Sequence, residues 1–206
     1  HPGITLHRVK AAASGRVQNE FILNNDGRVK ARISYKDFNQ NLIASKDELF
    51  YKDGRLHRIQ AQIDYSSALN AVLYVFSAIE FEYNQAGLVI QRNFFSKEGD
   101  NYKLRSFTVY EYNSQGWPVK ETRFDEDGIS FGFNSYTYDA TGNVITSEEY
   151  KVDRDNGTTS LERKTTFKHD IYKNPYKHLY HPTELIPFSV NPNNITEKVI
   201  TYYDSG

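Results

Sequence analysis

Cysteine and methionine are both absent from the 206 residues, and tryptophan occurs once. Without a thiol there is no disulfide, no thiolate zinc or iron–sulfur site and no cysteine nucleophile. An excess of charge of one sign is missing too. The 25 Lys+Arg stand against 26 Asp+Glu, a net charge of −1, which leaves no electrostatic footprint for nucleic acid or an anionic membrane surface, so no nucleic-acid partner is expected. Long hydrophobic runs are lacking: Ala71–Ile79 is apolar on both faces, but it falls far short of the ~20 residues a membrane-spanning helix needs and reads as a strand covered on both sides. The sequence shows no signal peptide, yet it opens on His1-Pro2, which is not a translational start, so an upstream piece is expected to have been removed. What the chain has in abundance is rings. Its 16 Tyr and 13 Phe bring aromatic content to 15%, roughly double that of an ordinary globular chain.

The rings recur in a pattern. Two aromatic or apolar residues two apart are followed by Asp or Asn, two further residues and Gly: Tyr136-Thr-Tyr138-Asp139-Ala-Thr-Gly142, Tyr110-Glu-Tyr112-Asn113-Ser-Gln-Gly116 and Phe81-Glu-Tyr83-Asn84-Gln-Ala-Gly87. Weaker copies run from Phe21 to Gly27 and from Glu48 to Gly54, the latter with Tyr51 in place of the Asp. The five glycines are 27, 33, 29 and 26 residues apart, too irregular for a solenoid rung. Each unit reads as a hairpin. Residues two apart share a strand face; Asp or Asn bonds its side chain to the backbone N–H two residues on; Gly supplies a left-handed conformation. An apolar residue then resumes the strand at Val29, Leu56, Val89 and Val144, with Val119 displaced by what reads as a Trp117-Pro118 insertion. A second set of polar clusters, Lys36–Asn41, Ser66–Asn70, Ser96–Asn101, Asp125–Gly128 and Asp153–Gly157, turns the chain between the first set. Strands of roughly 8 to 11 residues follow.

The expected fold is therefore all-β: a single domain over residues 1–206, an antiparallel up-and-down meander of about a dozen strands curled into an open or nearly closed barrel. A membrane barrel is disfavoured, because Glu80 with Glu82, Glu121 with Arg123 and Glu149 with Lys151 would stand in or beside hydrocarbon. From Lys173 to Asn194 the rhythm stops. Pro175, Pro182, Pro187 and Pro192 interleave with Tyr176, Leu179, Tyr180, Leu185, Ile186 and Phe188, too apolar for a solvated linker, so 173–194 is expected to pack on the sheet as an irregular, Pro-rich plug with one helical turn. Ile195–Tyr203 resumes as a strand, and Tyr202-Tyr203-Asp204-Ser205-Gly206 begins a turn whose hairpin is expected to continue beyond this sequence.

These motifs resemble the tyrosine-aspartate (YD) repeats of the Rhs-like superfamily, whose units carry Tyr-x-Tyr-Asp-x-x-Gly before an apolar strand. With Asp170-Ile-Tyr-Lys-Asn174-Pro175-Tyr176 and Asn193-Asn194-Ile-Thr, the chain from about residue 15 to 206 is more closely similar to a family of secreted Bacteroides-type lipoproteins of unknown function with a porin-like fold. That resemblance implies export to the periplasm or outer-membrane surface of a Gram-negative bacterium, with a lipid anchor upstream of His1. It transfers no catalytic residues. Against the toxin-shell Rhs proteins, a chain of this length is expected neither to enclose a cargo nor to carry a releasable toxin segment.

Catalytic and metal motifs do not converge. Gly128-Ile-Ser130-Phe-Gly132 matches the Gly-x-Ser-x-Gly nucleophile elbow, but Ser130 leads into the alternating, strand-like Phe131 and Phe133 with no helix after it and no ordered Asp and His partners. Asp153-Arg-Asp155-Asn156-Gly157 and Asp125-Glu-Asp127-Gly128 miss the calcium-loop spacing and read as solvated turns. His178 and His181 lack companions at metal-ligand spacing, as does His169. No catalytic set, no metal site and no cofactor is expected. The candidate ligand-binding residues are Trp117, Tyr110, Tyr112, Tyr136 and Tyr138, as a platform on which sugar rings or another apolar ligand stack; the competing reading makes the same rings the core of the repeat. The expected function is a non-catalytic, exported envelope module that binds or scaffolds glycan or an envelope protein. The alternative is an envelope or polysaccharide hydrolase using strand-borne carboxylates as acid and base.

Overall fold

A computed structural model describes residues 6–10, 17–35, 43–64, 73–174 and 191–203. Among these described residues thirteen strands follow one another: β1 (Leu6–Lys10), β2 (Val17–Leu23), β3 (Val29–Tyr35), β4 (Ile43–Lys52), β5 (Arg55–Asp64), β6 (Leu73–Tyr83), β7 (Val89–Glu98), β8 (Asn101–Tyr112), β9 (Pro118–Asp125), β10 (Ser130–Tyr138), β11 (Val144–Val152), β12 (Thr159–Lys173) and β13 (Asn193–Tyr202). Their order in the sheet is their order in the chain, from β1 to β13, an antiparallel meander. No helix among the described residues is long and apolar enough to cross a membrane, a statement that does not bear on crossing by strands. The chain divides into two compact units, His1–Glu82 with Asn93–Arg105, and Tyr83–Arg92 with Ser106–Gly206.

The repeat hairpins are built as their residues dictate, with one addition. In the turn Asp139–Asn143, the Asp139 N–H donates to the Asn143 carbonyl at 2.9 Å and the Gly142 N–H to the Asp139 carbonyl at 3.2 Å. Asp139 Oδ1 accepts from the N–H two residues on and from the N–H four residues on, both at 2.9 Å. The second of these bonds recurs wherever the turn does: Arg28 to Asn24 at 2.8 Å, Leu88 to Asn84 at 2.9 Å, Trp117 to Asn113 at 2.9 Å and Ile129 to Asp125 at 2.9 Å. The glycine's φ lies between +79° and +90° in these five turns, the left-handed region that residues with a Cβ resist. Leaving the turn, the second strand carries one extra residue, because Leu23 pairs Val29, Tyr112 pairs Pro118 and Tyr138 pairs Val144 after the ladder shifts. This is the bulge that follows a type I turn closed by glycine.

Two sequence expectations are corrected by this register. Trp117-Pro118 is no insertion: Pro118 opens β9 opposite Tyr112 as Val144 opens β11 opposite Tyr138, so proline occupies the apolar position and Trp117 the one before it. The weak copy ending at Gly54 is a different turn, a two-residue Asp53-Gly54 hairpin with φ of 50° and 75°, the mirror-image geometry that Asp-Gly favours. Of the Ala71–Ile79 stretch, Ser77 and Ala78 are both buried while Tyr74 is exposed, so among its described side chains cover on both sides is complete only toward its end. Within the Pro-rich segment, Lys173 still belongs to β12 and Asn193 already to β13, so the ends of 173–194 are strand. Pro175, Pro182, Pro187 and the rings among them, together with His178 and His181, lie outside the described residues.

Bound to the tertiary context, Asp139 has a carboxyl pKa near 2: burial alone would raise it, but hydrogen bonds from Asn143 and Thr141 outweigh burial and hold it down. The folded value lies below the usual 3.8, so this stabilisation is complete above that pH and disappears as pH falls toward 2. Asp139→Ala is therefore expected to lower the urea midpoint at neutral pH by an amount corresponding to about 1 kcal/mol, and to converge with the parent chain as pH approaches 2. A difference that stays constant with pH would overturn this account.

Candidate functional site

In the second unit, the pairing register lines up a row on one face of five successive strand pairs: Tyr110 opposite Glu121, Glu121 opposite Asn134, Asn134 opposite Glu149, Glu149 opposite Arg163 and Arg163 opposite Tyr202. Alternation puts Tyr112, Tyr136 and Tyr138 on the same face. Four of the five residues expected as a platform are thus brought to one surface, which becomes the tyrosine face. The opposite face holds another set of rings that alternation alone did not single out. Phe107 stacks on Phe124 at 4.9 Å and Phe133 on Tyr150 at 4.5 Å between ring centroids, each a directly opposed cross-strand pair, with Lys120 Nζ 4.7 Å above the Phe133 ring.

The tyrosines divide by position in the repeat. The first of each pair goes inside: Tyr110 and Tyr136 are each 5% exposed. The second spends its hydroxyl on the preceding hairpin. Tyr138 donates to the Pro118 carbonyl at 2.5 Å, Tyr112 to the Val89 carbonyl at 2.5 Å and, in the first unit, Tyr51 to the Val29 carbonyl at 2.8 Å. In all three the acceptor is the residue that resumes the strand after the previous repeat's glycine. Burial pushes the phenol of Tyr112 up to about 12, with Tyr83 adding to it, and raises Tyr110, Tyr136 and Tyr138 further. These hydroxyls remain neutral donors throughout the physiological range.

Trp117 belongs to a second ladder along the turns. At three of the turns the residue after the glycine reaches the glycine of the next repeat. Arg28 donates to the Gly54 carbonyl at 2.8 Å and lies 5.6 Å from the Tyr51 ring centre. Leu88 sits against Gly116, and Trp117 lies on Gly142 with its ring 5.2 Å from that of Tyr138. Trp117 is half-buried: one side rests on Tyr138 and Gly142, and the remainder stays open. After Gly142, Asn143 takes this place. It exchanges two hydrogen bonds with Asn193, at 3.0 and 3.1 Å.

Beneath the rings lies a polar cluster that the sequence reading did not assemble. Glu121, 7% exposed, accepts from Asn134 Nδ2 at 2.6 Å, and the same Nδ2 lies 3.4 Å from the Tyr136 hydroxyl oxygen. The Tyr110 hydroxyl and Asn134 Oδ1 are buried with no hydrogen-bond partner among the described residues. One row along, Arg123 reaches over Gly132 to Glu149 at 3.1 Å, and Glu149 is clamped from the other side by Arg163 at 2.6 Å. The cluster was legible only through the cross-strand register, because Glu121, Asn134 and Glu149 are 13 to 15 residues apart along the chain. Removing hydroxyls separates the roles. Tyr138→Phe is expected to cost about 1 kcal/mol for the lost bond to the Pro118 carbonyl, whereas Tyr110→Phe should stay within about 0.5 kcal/mol of the parent. Equal losses in chemical denaturation would contradict this division.

The motifs with alternative chemistry resolve into structure. Ser130 begins strand β10, so Gly128-Ile-Ser130-Phe-Gly132 forms no strand-to-helix elbow. Asp153 uses its carboxylate within its own turn, accepting from the Asp155 N–H at 2.9 Å and from Asn156 Nδ2 at 2.8 Å. No group of three or more His, Asp or Glu that could hold a metal occurs among the described residues. The two segments that carried the closer family resemblance meet each other: Asp170 accepts from the backbone and side chain of Asn194, at 3.2 and 3.1 Å, and Asn174 N–H donates to the Pro192 carbonyl at 2.9 Å.

No family model matches the sequence and no curated protein matches it. Among solved structures, a protein of unknown function from Bacteroides fragilis aligns over 58% of this chain and 89% of its own, with 13% identity and a TM-score of 0.47. A porin-like protein from Bacteroides uniformis aligns over 88% of this chain and 71% of its own, at 12% identity and a TM-score of 0.44. The toxin assembly TcdB2-TccC3 aligns over all of this chain and 14% of its own, at 12% identity and a TM-score of 0.26.

Proposed function

We propose that this chain is a non-catalytic, exported module of the cell envelope, of the degenerate YD-repeat kind, that binds or scaffolds a glycan or a partner protein through the aromatic rim of its turns. Trp117 is the contact residue of that rim, backed by Tyr138 and, one repeat earlier, Tyr112. Tyr110 and Tyr136 act beneath it as the packed support. The observation that carries this reading is the way Trp117 is held: its ring is fixed against Gly142 and Tyr138 while part of it stays open. A ring already immobilised loses little entropy on stacking against a ligand.

A non-catalytic role is supported by the carboxylates whose acidity is clearly perturbed. Asp139, Glu148 and Asp170 all move downward, and for Glu148 the cause is first the hydrogen bond from Lys164, then that from Tyr150. A general acid needs the opposite shift. The hydrolase alternative finds its best pair in Glu121 and Glu149, two strands apart on the tyrosine face, about 10 Å between backbones; but Arg123 and Arg163 already engage Glu149.

Because Trp117 is the sole tryptophan, its fluorescence reports on this site alone. Titration with soluble polysaccharides, alongside a screen for released products, is expected to give a saturable change in emission without turnover, and calorimetric titration should show the same binding lost in Trp117→Leu. Reproducible product formation that Glu121→Gln removes would replace the binding reading with the hydrolytic one.

A further inference from the structure

Asn191 is completely buried just before β13. Its amide orientation follows from its neighbours. The Val144 N–H is a donor at every pH, so the atom facing it at 3.0 Å is Oδ1, and Nδ2, which carries only hydrogens to give, faces Nε2 of His169 at 3.2 Å. A donor facing Nε2 requires a lone pair there. His169 must then be neutral, with its proton on Nδ1. The backbone carbonyl of Asn191 accepts in turn from Asn174 Nδ2 at 3.1 Å, so the same residue ties the end of β12 to the start of β13.

We propose that His169 is an acid-sensitive latch: neutral, it holds Asn191 in place between the end of β12 and the start of β13; protonated, its Nε2–H confronts the Asn191 amide and the bond from Val144 is released. Flipping the amide offers no escape, because Nδ2 would then confront the Val144 N–H, exchanging one donor–donor contact for another at a fully buried position. The element thereby unlocked is the segment leading into β13, which Asn191 joins to Val144, itself packed with Tyr136 and Phe167.

The charged groups around His169 are Asp139 from the turn before β11 and Asp170 on β12 itself; both favour the imidazolium, but burial works against it more strongly and the net shift is downward. From β13, the neutral Ile195 is the paired residue. With a folded value below the ordinary 6.5, the unfolded chain takes up the proton first. Stability is therefore constant above that pH and declines as pH falls below it toward the folded value.

The test uses the full chain. Imidazole 15N shifts at about pH 7.5 should show His169 as the Nδ1–H tautomer. Hydrogen-exchange protection of the Val144 amide, corrected for intrinsic exchange, should fall about tenfold between about pH 7.5 and 5, while that of Thr122 in β9 stays level. His169→Gln, a neutral side chain that can still accept, should hold Val144 protection flat with pH. Asn191→Asp should invert the response, because a carboxylate accepts from both Val144 N–H and imidazolium. An Nε2–H tautomer in the parent chain, unchanged Val144 protection on acidification, or an undiminished pH response in His169→Gln would each overturn the latch. The tautomer measurement decides the matter even where a variant fails to fold.

Discussion

Gly132→Ala is expected to destabilise the protein by about 3 kcal/mol or more, a loss out of scale with the single methyl added. Gly132 lies within β10 and has no need of a left-handed backbone. Its Cβ would stand 2.7 Å from the Tyr150 carbonyl oxygen and 2.9 Å from Arg123 Nη2. Neither neighbour yields cheaply. Tyr150 belongs to the β10–β11 ladder, and the Arg123 guanidinium uses the space above Gly132 to reach Glu149. A methyl there would part the strands or break the Arg123–Glu149–Arg163 clamp, leaving charges half-buried without their partners. Gly128→Ala is the control. Nothing lies within 4 Å of a Cβ at that position, and its φ is +81°, so its cost is backbone strain alone, about 1 kcal/mol. Urea denaturation of the two variants side by side checks the claim, and near-equal losses would refute it.

Gly142→Ala should have the next largest effect, about 2–4 kcal/mol, because it combines the two penalties. Its φ is +90°, and a Cβ would come within 2.8 Å of Trp117 Cζ2. The indole must lift off Tyr138, which its fluorescence would register as a red shift on solvent exposure. Trp117→Ala alone removes the cover and costs about 2–3 kcal/mol for a half-buried ring. In the double variant the steric part vanishes while the strain at φ +90° remains, so the two losses should fall short of additivity by about 1–2 kcal/mol. Strict additivity would mean that the ring and the glycine are not in the contact described.

The same two glycines show how far the sequence could be read. Gly142 is legible in Tyr138-Asp139-Ala-Thr-Gly142, because turn chemistry is local: an Asx oxygen, a type I turn and a left-handed residue all lie within five positions. Gly132 is not. In the sequence it belongs to a string resembling a serine nucleophile elbow, whereas its reason for being glycine is an arginine on β9 crossing to a glutamate on β11. Trp117 was read as an insertion that shifts the rhythm, since proline does not look like a strand-opening residue. The bulge geometry places Pro118 where valine stands elsewhere, and a proline at the first residue of a strand costs the ladder little. The phenylalanine stacks on the opposite face went unseen for a related reason: alternation separates two faces but says nothing of which rings will oppose each other across strands.

Local regularities in the chain were enough to require antiparallel hairpins, a meander in chain order, and paired rings on one face, because strand period and turn stereochemistry act over a few residues. The carbonyl partners of the Tyr51, Tyr112 and Tyr138 hydroxyls, the burial of Glu121 beside Asn134, and the asparagine pair Asn143–Asn193 came from register. Register is set by the sum of contacts along whole strands, and it joins residues such as Asn143 and Asn193 that no short-range rule connects.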